Sequence, residues 1–177
     1  MTARIAPIDP KTATGRAKEI FEGPLKGKEF NIFKSMANSS AALDTYASLS
    51  AALAKGQFSA KEREVVQLTL GQANNCDYCV AAHTVIGKGA GLTEEQTIEA
   101  RRASMKDAKL NALSKFVMAL HEKKGFVSDS DFQAFTAAGY SPAHAAEALA
   151  NYTLALYTNY FNHMNNTPID FPAAPKI

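Results

Sequence analysis

The groups most able to do chemistry are two cysteines, the only two in the 177-residue chain, at Cys76 and Cys79. Eleven residues separate Glu64 from the first cysteine of this pair, and three separate the second from His83. Two nearby thiols can close into a disulfide. A histidine can exchange a proton with a thiol, and a carboxylate can orient that histidine. The four residues therefore predict dithiol redox chemistry.

The spacing also assigns a role to each thiol. If Cys76 lies at the start of a helix and Cys79 in its first turn, their Cβ atoms are about 5–6 Å apart, which permits a disulfide with small rotations. The N-terminus of a helix favours a thiolate. His83 lies one turn after Cys79, on the same helix face. We therefore expect Cys79 to attack and Cys76 to resolve.

Two helices are needed to bring the carboxylate to the histidine. The sequence from Ser59 to Glu62 is a capping box, which predicts that a helix carrying Glu64 starts near residue 60. Asn74-Asn75 should end that helix, and a second should begin near Cys76. If the two helices pack antiparallel, Glu64 comes level with residues in the low-to-mid 80s and can hold His83.

The remaining pattern predicts an all-α protein of about eight helices in a single domain, residues 1–177. Asp9 and Pro10 predict a first helix that runs to Gly23-Pro24. Apolar spacing and caps predict a short apolar piece at 32–36 and helices near 43–56, 60–73, 76–89, 93–104, 110–125 and 128–139, followed by a longest helix from Ser141-Pro142. An extended, proline-containing tail follows. No alternating strand pattern is evident.

Composition excludes several classes of protein. The formal net charge is +2 and no basic run is present, so we expect no nucleic-acid partner. No apolar stretch reaches the roughly 20 residues of a membrane span, and the N-terminus lacks the pattern of a signal peptide. We therefore expect no membrane association and a cytoplasmic location, where a Cys-x-x-Cys pair is more often catalytic or metal-binding than structural.

The pattern Glu-x11-Cys-x-x-Cys-x3-His resembles the signature of the alkylhydroperoxidase D family, within the carboxymuconolactone decarboxylase-like superfamily. The specific match covers about residues 50–92. The resemblance implies an all-helical fold and a homo-oligomer, a trimer or a hexamer. By this resemblance Cys79 matches the position that forms a sulfenic acid, Cys76 the partner thiol, and Glu64 and His83 the proton relay. The best-known members have a histidine where this chain has Tyr78.

The implied function is reduction of hydrogen peroxide or alkyl hydroperoxides, without a metal or cofactor of its own. An external dithiol, either a lipoyl group or a thioredoxin-like protein, would restore the thiols. Two alternatives stay open. One is a dithiol–disulfide reductase that serves a partner peroxidase. The other is a non-enzymatic redox sensor or metal-binding protein, in which Cys76, Cys79 and His83 would supply three of the four zinc ligands and Glu64 or a distant histidine the fourth.

The other candidate residues have structural interpretations. We expect His121 and His144 at the surface. We expect His163 to be structural, packed at a subunit contact or beside a pocket. Tyr78 is expected to form a pocket wall, to hydrogen-bond near the thiols, or to pack in the core.

Overall fold

The computed structural model describes residues 2–177, and within that range its regular secondary structure is entirely α-helical. Its helices are α1 (Gly15–Glu22), α2 (Asn31–Met36), α3 (Ser40–Leu53), α4 (Ala60–Ala73), α5 (Asp77–Gly89), α6 (Glu94–Arg101), α7 (Ala108–Glu122), α8 (Asp129–Ala137) and α9 (Pro142–Asn165). The predicted all-α class is confirmed. The described residues form nine helices rather than about eight, because the short apolar piece is itself a helix, α2.

Side-chain caps set most helix starts, as the sequence predicts. Ser59 and Glu62 form the capping box of α4, Thr93 that of α6 and Ser128 that of α8. Ser141 caps α9, with His144 reaching back to the cap. Each cap supplies an acceptor for an N–H group that has no partner within its helix.

The predicted start of the first helix is wrong. Asp9 caps a turn instead: its Oδ1 accepts from the backbone N–H of Lys11 at 2.9 Å, and its carbonyl accepts from that of Thr12 at 3.0 Å. The helix α1 begins at Gly15, after the extended residue Thr14. An aspartate followed by a proline suits a turn as well as a helix start, because both use a side-chain oxygen to bind a nearby N–H.

Helix α4 is the centre of the fold. Its residues Val65, Val66, Leu68 and Leu70 are fully buried, and it packs against α5, α6, α7 and α9. One apolar cluster surrounds it on the side of α7 and α8. A second cluster joins α1, α2 and α3 to the start of α5, including both cysteines. The cysteine segment therefore lies against the N-terminal helices, beside the central helix.

A left-handed residue reverses the chain between α4 and α5. Asn75 has φ 54°, a conformation that asparagine tolerates better than most residues. The backbone N–H of Cys76 then donates to the carbonyl of Gly71 at 2.8 Å and closes the turn. The two helices consequently run back along each other, as predicted.

The segment after α9 folds back over α2 and α5. Asn166 ends α9 in the left-handed conformation. Beyond it, the carboxylate of Asp170 accepts from the backbone N–H of Asn31 and from the Tyr78 hydroxyl, each at 2.7 Å. The Phe171 ring packs 4.5 Å from that of Phe30, between centroids. This tail is thus part of the wall around the start of α5.

Candidate functional site

Cys76 and Cys79 are joined as a disulfide, with their Cα atoms 5.2 Å apart. Cys76 is the N-cap of α5, and its sulfur accepts from the backbone N–H of Cys79 at 3.3 Å. Both residues are almost fully buried, at 1% and 2% exposure. The predicted helix start and the predicted ability of the pair to close are both present.

Glu64 and His83 meet as the antiparallel packing of α4 and α5 predicts. The His83 Nδ1 lies 2.7 Å from the Glu64 Oε2, and both side chains are mostly buried, at 19% and 13% exposure. A carboxylate accepting from Nδ1–H fixes the imidazole so that its Nε2 is the nitrogen that can take or give a proton. The pair is therefore arranged as a base with an orienting acid.

A cavity of about 390 Å³ brings these groups together. Cys79, His83 and Glu64 all line it, whereas Cys76 does not. Much of the remaining wall is apolar or aromatic, contributed by Phe30, Ile32, Phe33, Tyr46, Leu53, Tyr78, Ile86, Leu154 and Phe171. Of the two cysteines, a molecule in the cavity therefore contacts Cys79 and not Cys76.

Asn162 of α9 is a site residue that the sequence analysis missed. Its Nδ2 lies 3.4 Å from the Cys79 Sγ, with both groups buried. Its Oδ1 is buried and has no hydrogen-bond partner among residues 2–177. One signal for it exists: the asparagines at 151, 159, 162 and 165 recur at helical spacing on the inner face of α9, where they are buried. Amides at such positions need polar partners.

Tyr78 is a cavity wall and also the anchor of the C-terminal tail. Its ring is 5% exposed and meets the Phe171 ring edge-on, 5.6 Å between centroids. Burial, together with the hydrogen bond to Asp170, raises the pKa of Tyr78 well above its usual range. The tyrosine thus stays protonated and donates to the carboxylate. The prediction of a pocket wall is confirmed, and Asp170 is a partner the sequence analysis did not identify.

Tyr46 closes another side of the cavity. Burial raises the pKa of Tyr46 to about 12; the hydrogen bond with Ser50 opposes this rise and the charge of Glu64 adds to it. Its phenol therefore remains neutral beside the His83–Glu64 pair at neutral pH.

The other histidines lie outside the cavity lining. The predicted exposure of His144 is wrong, because its half-buried ring packs against Phe58 and Tyr140 with centroids 5.2 and 5.3 Å away. His121 is likewise half-buried rather than at the surface as predicted, with Nδ1 3.4 Å from the Tyr152 hydroxyl. His163 is exposed at the end of α9.

Within residues 2–177, no cluster of three or more histidine, cysteine, aspartate or glutamate side chains is placed to bind a metal ion. Across the same range, no helix has both the length and the apolar character of a membrane span.

Comparisons with known proteins agree with this architecture. Residues 40–122, just under half of the chain, match the model of the carboxymuconolactone decarboxylase family. The fold is similar to the crystal structure of an uncharacterised peroxidase-related protein with an alkylhydroperoxidase AhpD core, from Ralstonia eutropha JMP134. The TM-score is 0.85 and the identity 17%, over 96% of this chain and 93% of that one. The chain therefore matches this family's model over residues 40–122 and shares the alkylhydroperoxidase D-like fold over nearly its whole length.

Two further structures share the alkylhydroperoxidase D-like fold. One is an uncharacterised peroxidase-related protein from Silicibacter sp. TM1040, with a TM-score of 0.79, 16% identity and coverage of 93% of this chain and 89% of that one. The other is a cysteine-to-alanine variant of the debrominase Bmp8 in complex with 2,3,4-tribromopyrrole, with a TM-score of 0.79, 15% identity and coverage of 96% and 93%. A search of the curated proteins finds no significant match.

Proposed function

We propose that the protein is a thiol-dependent peroxidase that reduces hydrogen peroxide or alkyl hydroperoxides with the Cys76–Cys79 dithiol. One observation carries the proposal: Cys79 and the Glu64-bound His83 line the same cavity. This reaction requires a nucleophilic thiol and a group that transfers a proton, both next to the same bound substrate.

The reaction begins from the reduced pair. The Cys79 thiolate attacks the outer oxygen of the hydroperoxide, the O–O bond breaks, and the leaving alkoxide takes a proton, which His83 can supply. The products are a sulfenic acid on Cys79 and an alcohol or water. The Cys76 thiol then attacks the sulfenic sulfur, and water leaves as the disulfide forms. Two electrons have passed from the dithiol to the peroxide.

Several contacts support Cys79 as the attacking residue. It lies in the first turn of α5, where unpaired N–H groups favour a negative charge. The amide of Asn162 points an N–H group at its sulfur, which also favours the thiolate. Cys76 does not line the cavity, which supports a resolving role for it rather than direct reaction with the peroxide.

An external dithiol completes the cycle by reducing the disulfide. Because Cys79 is 2% exposed, the reductant has to reach into the cavity. A slender arm such as a lipoyl group can do this more readily than a thiol fixed on a protein surface. The same burial disfavours direct exchange with the disulfide of a partner protein.

The test follows the thiols of the reduced protein after mixing with hydrogen peroxide or cumene hydroperoxide. The wild type should lose two thiols per chain, and with cumene hydroperoxide it should release one alcohol per chain. Cys79→Ser should abolish the reaction, whereas Cys76→Ser should stop at a sulfenic acid that dimedone traps on Cys79. His83→Ala should slow the first step by about 100-fold or more. Thiols that survive millimolar peroxide for many minutes would exclude peroxidase activity.

The structural similarity to a debrominase raises a second candidate function, which is reductive debromination by the dithiol. The cavity here is lined by aromatic residues and by Cys79, and that neighbour binds a flat brominated ring. Two thiols can replace a carbon-bound bromine by hydrogen, giving a disulfide and bromide. Bromide release from 2,3,4-tribromopyrrole by the reduced protein, absent in Cys79→Ser, would favour this function over peroxide reduction.

A further inference from the structure

The charges around the cavity are unevenly distributed. Its lining contains two permanent cations, Lys28 and Arg63, and only one carboxylate, that of Glu64. Glu64 is already paired with His83 at 2.7 Å. The two cations of the cavity lining, Lys28 and Arg63, therefore have no ion-pair partner within residues 2–177.

The two cations lie near solvent, whereas the sulfur is buried. Lys28 is exposed and Arg63 half-exposed, whereas Cys79 is 2% exposed. Apolar and aromatic side chains line the cavity along with them. A molecule that fills the cavity would thus meet an apolar surface and a reactive sulfur inside, and cations near solvent.

A hydrogen bond to the backbone fixes the guanidinium of Arg63. Its Nη1 donates to the carbonyl of Phe58 at 2.7 Å. This bond uses one of the five N–H donors of the guanidinium and leaves others for a ligand. A guanidinium fixed in this way is well suited to bind a carboxylate with two parallel hydrogen bonds.

We infer that the substrate class is an amphiphilic organic acid: an apolar or aromatic body bearing the hydroperoxide, with a carboxylate that Arg63 and Lys28 bind. The inference rests on the proposed peroxidase function. It adds that the substrate bears a carboxylate as well as the hydroperoxide. Hydrogen peroxide and uncharged alkyl hydroperoxides would leave the two cations unused.

Binding tests this inference without requiring turnover. The probe is 4-(2-hydroxypropan-2-yl)benzoate, the alcohol product of the carboxylated cumene hydroperoxide, and its methyl ester is the uncharged counterpart. By titration calorimetry, the acid should bind the wild-type protein at least about tenfold more tightly than the ester at low salt, and the ratio should fall as ionic strength rises.

Charge variants locate the binding group. Arg63→Gln should bring the acid-to-ester ratio close to one, and Lys28→Gln should reduce it in part. Arg63→Lys keeps a cation and should retain part of the preference, which separates lost charge from a disturbed fold. Arg102→Gln, which removes an exposed arginine outside the cavity, is the matched control and should change nothing.

Peroxide kinetics complete the test. The carboxylated hydroperoxide should react with the reduced protein with a lower KM than its ester, through the same Arg63 dependence. Equal binding of acid and ester by the wild type, or binding of neither at millimolar concentration, would overturn the inference. If the acid binds selectively but neither hydroperoxide is reduced, the ligand class stands and the proposed peroxidase function fails.

Discussion

At the level of single residues, the sequence defines the motif but not the whole environment of the sulfur. The spacing of Glu64, Cys76, Cys79 and His83 predicts the observed convergence because all four lie on two helices joined by a short turn. Asn162 could not be placed in the same way. It is 83 residues from Cys79 in the chain, and only the packing of α9 against α5 brings its amide to the sulfur.

The contact between Asn162 and Cys79 leads to a prediction about the reactivity of the Cys79 thiol. An N–H donor stabilises a thiolate more than a thiol, so Asn162→Ala should raise the pKa of the Cys79 thiol in the reduced protein. The reaction with peroxide at neutral pH should then slow by up to about tenfold. The pH dependence of alkylation by iodoacetamide, or the thiolate absorbance near 240 nm, measures the pKa directly.

A neighbouring asparagine is the control for this experiment. Asn159 is buried one turn earlier on α9 and bonds Asn74 at 2.9 Å rather than the sulfur. Asn159→Ala should lower stability without moving the Cys79 pKa. If both variants leave the titration of Cys79 unchanged, Asn162 has only a packing role.

At the level of helices and loops, a sequence pattern predicts the structure correctly where the stabilising contact joins residues close together in the chain. Capping boxes at Ser59, Thr93 and Ser128 mark true helix starts because the cap and its partner lie three residues apart. The path of the tail has no such local cause. It depends on Asp170 meeting Tyr78 and Asn31, which are distant in sequence, so the pattern predicts an extended tail but not its attachment.

The tail attachment gives an element-scale prediction. Asp170→Ala removes the acceptor for both Tyr78 and Asn31 and should lower the free energy of unfolding by about 1–3 kcal/mol. Tyr78→Phe removes one of the two bonds to Asp170, and also the long 3.4 Å bond that the Tyr78 hydroxyl accepts from the Ile32 N–H. It keeps the ring packed against Phe171 and should cost about 1–2 kcal/mol. Urea denaturation measures both. The double variant should cost less than the sum of the two single variants, because both lose the same Tyr78–Asp170 bond.

The same variants report on access to the site. Because Phe171 and Tyr78 both line the cavity, a detached tail should let a bulky thiol reagent react faster with Cys79 of the reduced protein. If detaching the tail destabilises the protein but leaves the rate at which the thiol reagent reacts with Cys79 unchanged, the tail has only a structural role.

At the level of the whole molecule, several expectations stay predictions. These are the single domain, the homo-oligomer and the cytoplasmic location. Exposed apolar side chains occur on α5 at Val85 and Ile86, and on α9 at Leu149, Tyr160 and Met164. Ile86 also lines the cavity, so a subunit contact on that face of α5 would border the site. Light scattering of the purified protein would establish whether it is a trimer, a hexamer or neither.

The fold as a whole buries several phenols, which predicts its behaviour in alkali. Burial is the main reason that the pKa values of Tyr46, Tyr78 and Tyr140 are raised, that of Tyr46 to about 12. An unfolded tyrosine has a pKa of about 10. Because the folded values lie above the unfolded one, the stabilisation is complete below pH 10 and is lost as pH rises through the folded pKa values.

The free energy of unfolding should therefore fall steadily between pH 10 and pH 12, as the unfolded chain ionises before the folded one. Each buried phenol contributes a slope of about 1.4 kcal/mol per pH unit. Urea denaturation at pH 9, 10, 11 and 12, with tyrosinate absorbance at 295 nm, measures the effect. Tyr46→Phe should flatten the profile, whereas Tyr160→Phe, which alters an exposed ring, should not. A profile that stays level to pH 12 would mean that these phenols ionise as readily in the folded protein as in water.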